Sequence, residues 1–227
     1  DAWCERVFAP WTDMEAVMRE NGILLYGLES GDAIKDFDIL GFTMQYELSY
    51  TNVLNMLDLA GLPVRSKDRT SLTPIVVAGG TCVCNAEPMA DFFDITLPGD
   101  GEEVTNELID LLKEYKAKGA TKQEFLVAAA QIKGVYVPSL YEVEYNEDNT
   151  VKSVTPTCGA PEKVVKRNVA NLDEMFAPTE FVVPFLEVVH DRTTVEIFRG
   201  CIRGCRFCQA GFINRPLRRK SPETVEA

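Results

Sequence analysis

The sequence has no apolar run approaching the ~20 residues that a membrane-crossing helix needs. Its opening, DAWCERVFAP, has neither the basic start nor the apolar stretch of a signal peptide. A soluble, cytosolic protein with no membrane partner is therefore expected. Cations are scarce: 23 Lys and Arg stand against 35 Asp and Glu, a net charge of −12. Nonspecific nucleic-acid binding needs clustered cations to neutralise phosphates, so the acidic bulk argues against it. Internal repeats and low-complexity tracts are absent, and 46% hydrophobic with 26% charged residues excludes disorder, collagen and coiled coil. A secreted disulfide framework also fits badly, because the seven cysteines are an odd number and three of them crowd into eight residues near the end. Clustered thiols in a reducing compartment point to a metal.

The charge is unevenly spread. Residues 1–190 hold 15 Lys/Arg against 31 Asp/Glu, a net −16, whereas residues 191–227 hold 8 against 4, a net +4. The 227 residues suffice for a domain and a half to two domains. The sequence begins without methionine and stops within SPETVEA, a Ser-Pro-Glu helix start, so it is expected to be part of a longer protein.

Thr12 with Glu15 forms a capping-box pattern for a helix from about Asp13 to Asn21, with Gly22 as terminator. Ile23 to Tyr26 and Phe37 to Met44 predict strands, and Leu48 to Ala60 a helix with Leu48, Val53, Leu54 and Leu57 on its apolar face. Pro74 to Ala78 is continuously apolar, as a parallel strand covered on both faces requires. Asp94 to Leu97 predicts another strand, then a helix through Leu108, Leu111 and Leu112 to about Gly119. Strands alternating with amphipathic helices imply an α/β fold with an open, mainly parallel sheet. In such sheets ligands bind beyond the C-terminal strand ends, where Gly79, Gly80, Gly99 and Gly101 would lie; tight turns explain the same glycines equally well. Thr121 with Glu124 caps a further helix to about Ile132, and Tyr141–Tyr145 with Val151–Thr155 predicts a β-hairpin. Three regions follow: an α/β domain over 1–120, a helix-and-hairpin linker over 121–190, and a distinct piece over 191–227.

Val195 to Phe198 predicts a strand that runs into Gly200-Cys201-Ile-Arg-Gly-Cys205-Arg-Phe-Cys208. Gly200 and Gly204 let this C-x3-C-x2-C loop bend around one centre, and Arg199, Arg203 and Arg206 would offset the charge of a thiolate-ligated cluster. Structural zinc wants four protein ligands, and neither His190 nor Cys158 stands at zinc-knuckle spacing. Three cysteines with a vacant fourth position suit a [4Fe-4S] cluster whose unique iron binds a substrate or cofactor. A noncatalytic binding module with structural zinc or free cysteines is the alternative.

The spacing in its strand-then-loop context resembles the radical S-adenosylmethionine superfamily. That resemblance implies that Cys201, Cys205 and Cys208 ligate the cluster, that Phe207 packs near the adenine, and that residues 191–227 begin a (β/α) barrel. It further implies S-adenosylmethionine as cofactor, an electron donor such as flavodoxin or ferredoxin, and reductive cleavage to a 5'-deoxyadenosyl radical. The final substrate, reached by methyl transfer or another modification of RNA, protein or a small molecule, stays open. Ile75-Val-Val-Ala-Gly79-Gly80, Pro88 to Asp94 and Gly99-Asp100-Gly101-Glu102 are similar to the glycine pattern of cobalamin-binding-like, flavodoxin-like domains ahead of such barrels. GCIRGCRFCQAGFINRP resembles a largely uncharacterised bacterial family with that layout. Cobalamin would have to bind without a protein histidine, because D-x-H-x-x-G is missing and the one histidine is His190; a degenerate fold that binds a partner or substrate is the alternative.

Among lesser candidates, Cys82 and Cys84 read as small buried residues, Glu87 and Asp91 as solvated carboxylates, and His190 as a surface residue. Arg215, Arg218, Arg219 and Lys220 could meet an anionic substrate such as RNA, or form a solvated flank. Trp3 and Trp11 read as core or edge packing.

Overall fold

A computed structural model describes residues 2–178, 180, 184–189 and 192–226. The chain divides into two compact units, Asp1–Arg167 and Asn168–Ala227. Among the described residues no helix is long and apolar enough to cross a membrane.

The first unit is α/β, with strands β1 (Ile39–Thr43), β2 (Ile75–Gly79) and β3 (Ile95–Leu97) side by side and parallel in that order. Alternation of side chains along β2 sends Val76 and Ala78 to one face, with Leu40, Met18 and Leu57, and Ile75 and Val77 to the other, with Leu108 and Phe125. This is why a continuous apolar run works here: both faces are covered, and each fully buried aliphatic side chain contributes roughly 1.5–3 kcal/mol. Helices α1 (Thr12–Asn21) and α2 (Tyr50–Leu59) supply the first core, and α3 (Glu102–Ala117) and α4 (Lys122–Ala129) the second. Thr96 and Tyr136 exchange both backbone hydrogen bonds, at 2.8 and 2.9 Å, which ties the segment after α4 to the sheet. The hairpin of β4 (Tyr141–Tyr145) and β5 (Val151–Pro156) follows as the alternating pattern predicts.

Three local expectations change. Residues 23–26 make no strand ladder: Leu25 donates to Leu59 at the end of α2, and only an isolated bridge joins Tyr26 to Ala33. Helix α1 starts at Thr12 with Trp11 as its N-cap, so Thr12 caps nothing. Leu48 lies in a turn before α2 and is exposed, off the helix's apolar face.

Asp94, just before β3, is buried and knits the sheet to its flanks. Its carboxylate accepts from the Val76 amide at 2.8 Å, the Lys122 ammonium at 2.7 Å, the Arg69 guanidinium at 3.2 Å and the Ser66 hydroxyl. Arg69 also donates to the carbonyls of Pro63, Val64 and Phe92. Burial pulls the Lys122 ammonium below the usual lysine range, with the Asp94 charge acting against that.

In the second unit, β6 (Phe198–Arg199) pairs antiparallel with β7 (Arg218–Arg219). The strand expected over 195–198 is thus shorter and shifted, because the segment that reaches its edge covers only Phe198 and Arg199. Short helices α5 (Ala210–Ile213) and α6 (Pro222–Glu226) complete the unit, with Ser221 capping α6 through the Thr224 amide and donating its own amide to Asp173.

Candidate functional site

The cysteine loop is clasped between β6 and β7. Gly200 has φ +99°, and a Cβ there would stand 2.6 Å from the Pro216 carbonyl oxygen and 2.8 Å from that of Asn214. Only a residue without a side chain lets the two arms close so tightly. Inside the loop the Cys208 amide donates to the Cys205 carbonyl at 3.1 Å, and the Cys201 Sγ accepts the Arg203 amide at 3.4 Å. All three thiols are free of disulfides; Cys205 is exposed and Cys201 and Cys208 are half-buried. Among the described residues no three His, Cys, Asp or Glu side chains are gathered to hold a metal ion. Phe207 is 91% exposed. Arg199 is ion-paired with Glu196 at 2.6 Å. His190 and Asp191 lie outside the described residues.

The glycine turns stand at the C-terminal ends of β2 and β3 and are met by this chain's own backbone. Gly80 has φ +98°, and a Cβ there would stand 2.7 Å from the Met44 carbonyl oxygen. At Gly99, φ +107°, the Arg167 carbonyl oxygen would be 1.9 Å away, and that same carbonyl accepts the Asp100 amide at 2.9 Å. Arg167 is held there by α3, donating to Glu103 and Glu107, each at 2.6 Å. Gly79 and Gly101 have open space or an ordinary contact at the Cβ position. At Gly80 and Gly99 the space beside the glycine is taken by the backbone of Met44 and Arg167, as a tight-turn role requires, and no open cradle for a corrin is formed by these two glycines.

Several secondary readings are corrected by position. Trp3 and Trp11 are both at least three-quarters exposed, and the Trp3 indole donates to Glu5 at 2.6 Å. Cys84 is exposed, and Cys82 is half-buried against Tyr50, where burial raises its thiol above the ordinary range. Glu87 and Asp91 are exposed, as expected of solvated carboxylates, and each also has a partner: Glu87 accepts the Tyr136 hydroxyl and Asp91 pairs with Arg65. Both line a cleft of about 980 Å³ in the first unit, with Lys67, Tyr136, Tyr141 and Tyr145. Sequence reasoning missed this cleft; its one legible sign is the alternation Tyr141, Val143, Tyr145, which sets three side chains on one face of β4.

A family described as radical SAM proteins, N-terminal, matches residues 1–138. The chain is also similar to an uncharacterized protein of Methanocaldococcus jannaschii, 29% identical over 204 residues, which covers 88% of this chain and 36% of that protein. It therefore spans about a third of the length of that curated relative. No solved structure matches. With well over half of its length matched, the chain belongs to the radical SAM proteins, N-terminal, family.

Proposed function

We propose that the chain is the front part of a radical S-adenosylmethionine enzyme in which Cys201, Cys205 and Cys208 hold a [4Fe-4S] cluster. The observation that carries this reading is the set of three free thiols on one eight-residue loop clasped at Gly200, in a chain of that family. The donor set fits: thiolates are the ligands of iron–sulfur clusters, and three of them leave one iron for a small-molecule ligand. The Arg203 amide already donates to Cys201, the kind of N–H···S bond that tunes such a centre. Arg203 and Arg206 have no ion-pair partner among the described residues and would offset the negative charge of the ligated cluster.

When bound, the cluster supplies one electron for reductive cleavage of S-adenosylmethionine. The chain's own part is to ligate three irons, to hold the loop closed through Gly200 and the β6–β7 pair, and to offer Phe207 to the adenine. The electron would come from a small flavin or iron–sulfur protein. No step runs through cobalamin.

Anaerobic reconstitution with iron and sulfide tests the reading. The chain is expected to take up about four irons with visible sulfur-to-iron absorbance. A reduced-state paramagnetic signal should change on adding S-adenosylmethionine. Each of Cys201→Ala, Cys205→Ala and Cys208→Ala should lose the signal. Full signal in Cys205→Ala, or stoichiometric zinc in anaerobically purified protein, would overturn it.

A further inference from the structure

We propose that the cleft of the first unit is a binding site for a nucleoside phosphate, separate from the cysteine loop. Its volume, about 980 Å³, accommodates a ligand of that size. Its lining has two kinds of chemistry. One part carries Arg65 and Lys67, with the buried Arg69 and Lys122 behind them. Arg69 and Lys122 share the single carboxylate of Asp94, which leaves an excess positive charge in a desolvated place. With Asp94, Glu87 and Asp91 set against Arg65, Lys67, Arg69 and Lys122, one net positive charge remains at the cleft, which favours an anion there. The Lys67 ammonium has no hydrogen-bond or ion-pair partner among the described residues and is exposed at the cleft.

The same cleft also has an aromatic part, Tyr136, Tyr141 and Tyr145. Tyr136 and Tyr141 stand with ring centroids 4.9 Å apart, and Tyr145 continues the same face of β4 into solvent. Glu87 fixes the Tyr136 ring by accepting a hydrogen bond from its hydroxyl. A planar base stacks on such rings, at roughly 1–3 kcal/mol per base. The phosphate would then face Lys67, with Arg65 beside it already paired with Asp91.

Equilibrium dialysis of the chain against AMP, adenosine and inorganic phosphate at low salt decides the matter. Saturable AMP binding is expected, weakened about tenfold or more by Lys67→Glu and severalfold by Tyr145→Ala. Phosphate should bind more weakly than AMP and respond to Lys67→Glu but not to Tyr145→Ala. Both positions are exposed, and unchanged circular dichroism verifies the fold of each variant. Cys208→Ala should bind AMP as the unaltered chain does, which separates this site from the proposed cluster. Absence of saturable AMP binding up to ~10 mM overturns the proposal. So does adenosine or phosphate binding as tightly as AMP, indifference of AMP to both variants, or its loss in Cys208→Ala.

Discussion

Asp94 shows how a single residue can hold several segments. Its carboxylate is the shared acceptor for Ser66, Arg69, Lys122 and the Val76 amide, from the loop before β2, from β2 and from α4. Removing the charge strands two buried cations, and breaking a buried pair typically costs about 3–5 kcal/mol. Asp94→Asn is therefore expected to lower stability by about that amount, read as a shift of the urea midpoint with unchanged slope. Tyr136 gives the pH counterpart. Burial, then the bond to Glu87, holds its hydroxyl well above the ordinary value near 10. Above pH ~10 an unfolded tyrosine loses its proton while Tyr136 keeps its own, so the folded state binds more protons and stability falls as the pH rises. Tyr136→Phe should flatten that alkaline decline in denaturation curves between pH 9 and 11. Tyr50 and Tyr141, also raised by burial, keep part of the slope.

Elements show where a local pattern decides and where it yields. The same S/T-x-x-E signal occurs at Thr12 and at Thr121. At Thr121 the box forms: its hydroxyl accepts the Glu124 amide, and the Glu124 carboxylate accepts the Thr121 amide at 2.8 Å. At Thr12 it does not, because Glu15 is drawn to Arg19 and Asn55, at 2.9 and 2.8 Å. Thr121→Ala should thus cost about 1 kcal/mol. Thr12→Ala should stay within ~0.5 kcal/mol of the unaltered chain, with thermal melts of the two variants as the check. Strands β2 and β3 were legible as short apolar runs, and the hairpin and helices α2 and α3 by periods of 2 and 3.6, because each of these signals is local. The strand at 195–198 was not, because its extent depends on where Arg218 and Arg219 meet it.

On the scale of the molecule, both hydrophobic cores are drawn from residues 1–167. Residues 1–167 expressed alone are expected to melt in one cooperative transition near that of the full chain; a broad, noncooperative melt would refute their independence. The amino-acid sequence by itself determined the parallel α/β layering and the three-thiol loop, since periodicity, turn chemistry and cysteine spacing are properties of neighbours along the chain. The tertiary structure alone decided that Met44 and Arg167 fill the space beside Gly80 and Gly99, that Asp94 gathers two buried cations, and that three tyrosines and Lys67 line one cleft. Those features join residues tens of positions apart, and no local pattern encodes which distant backbone or charge will occupy a given space.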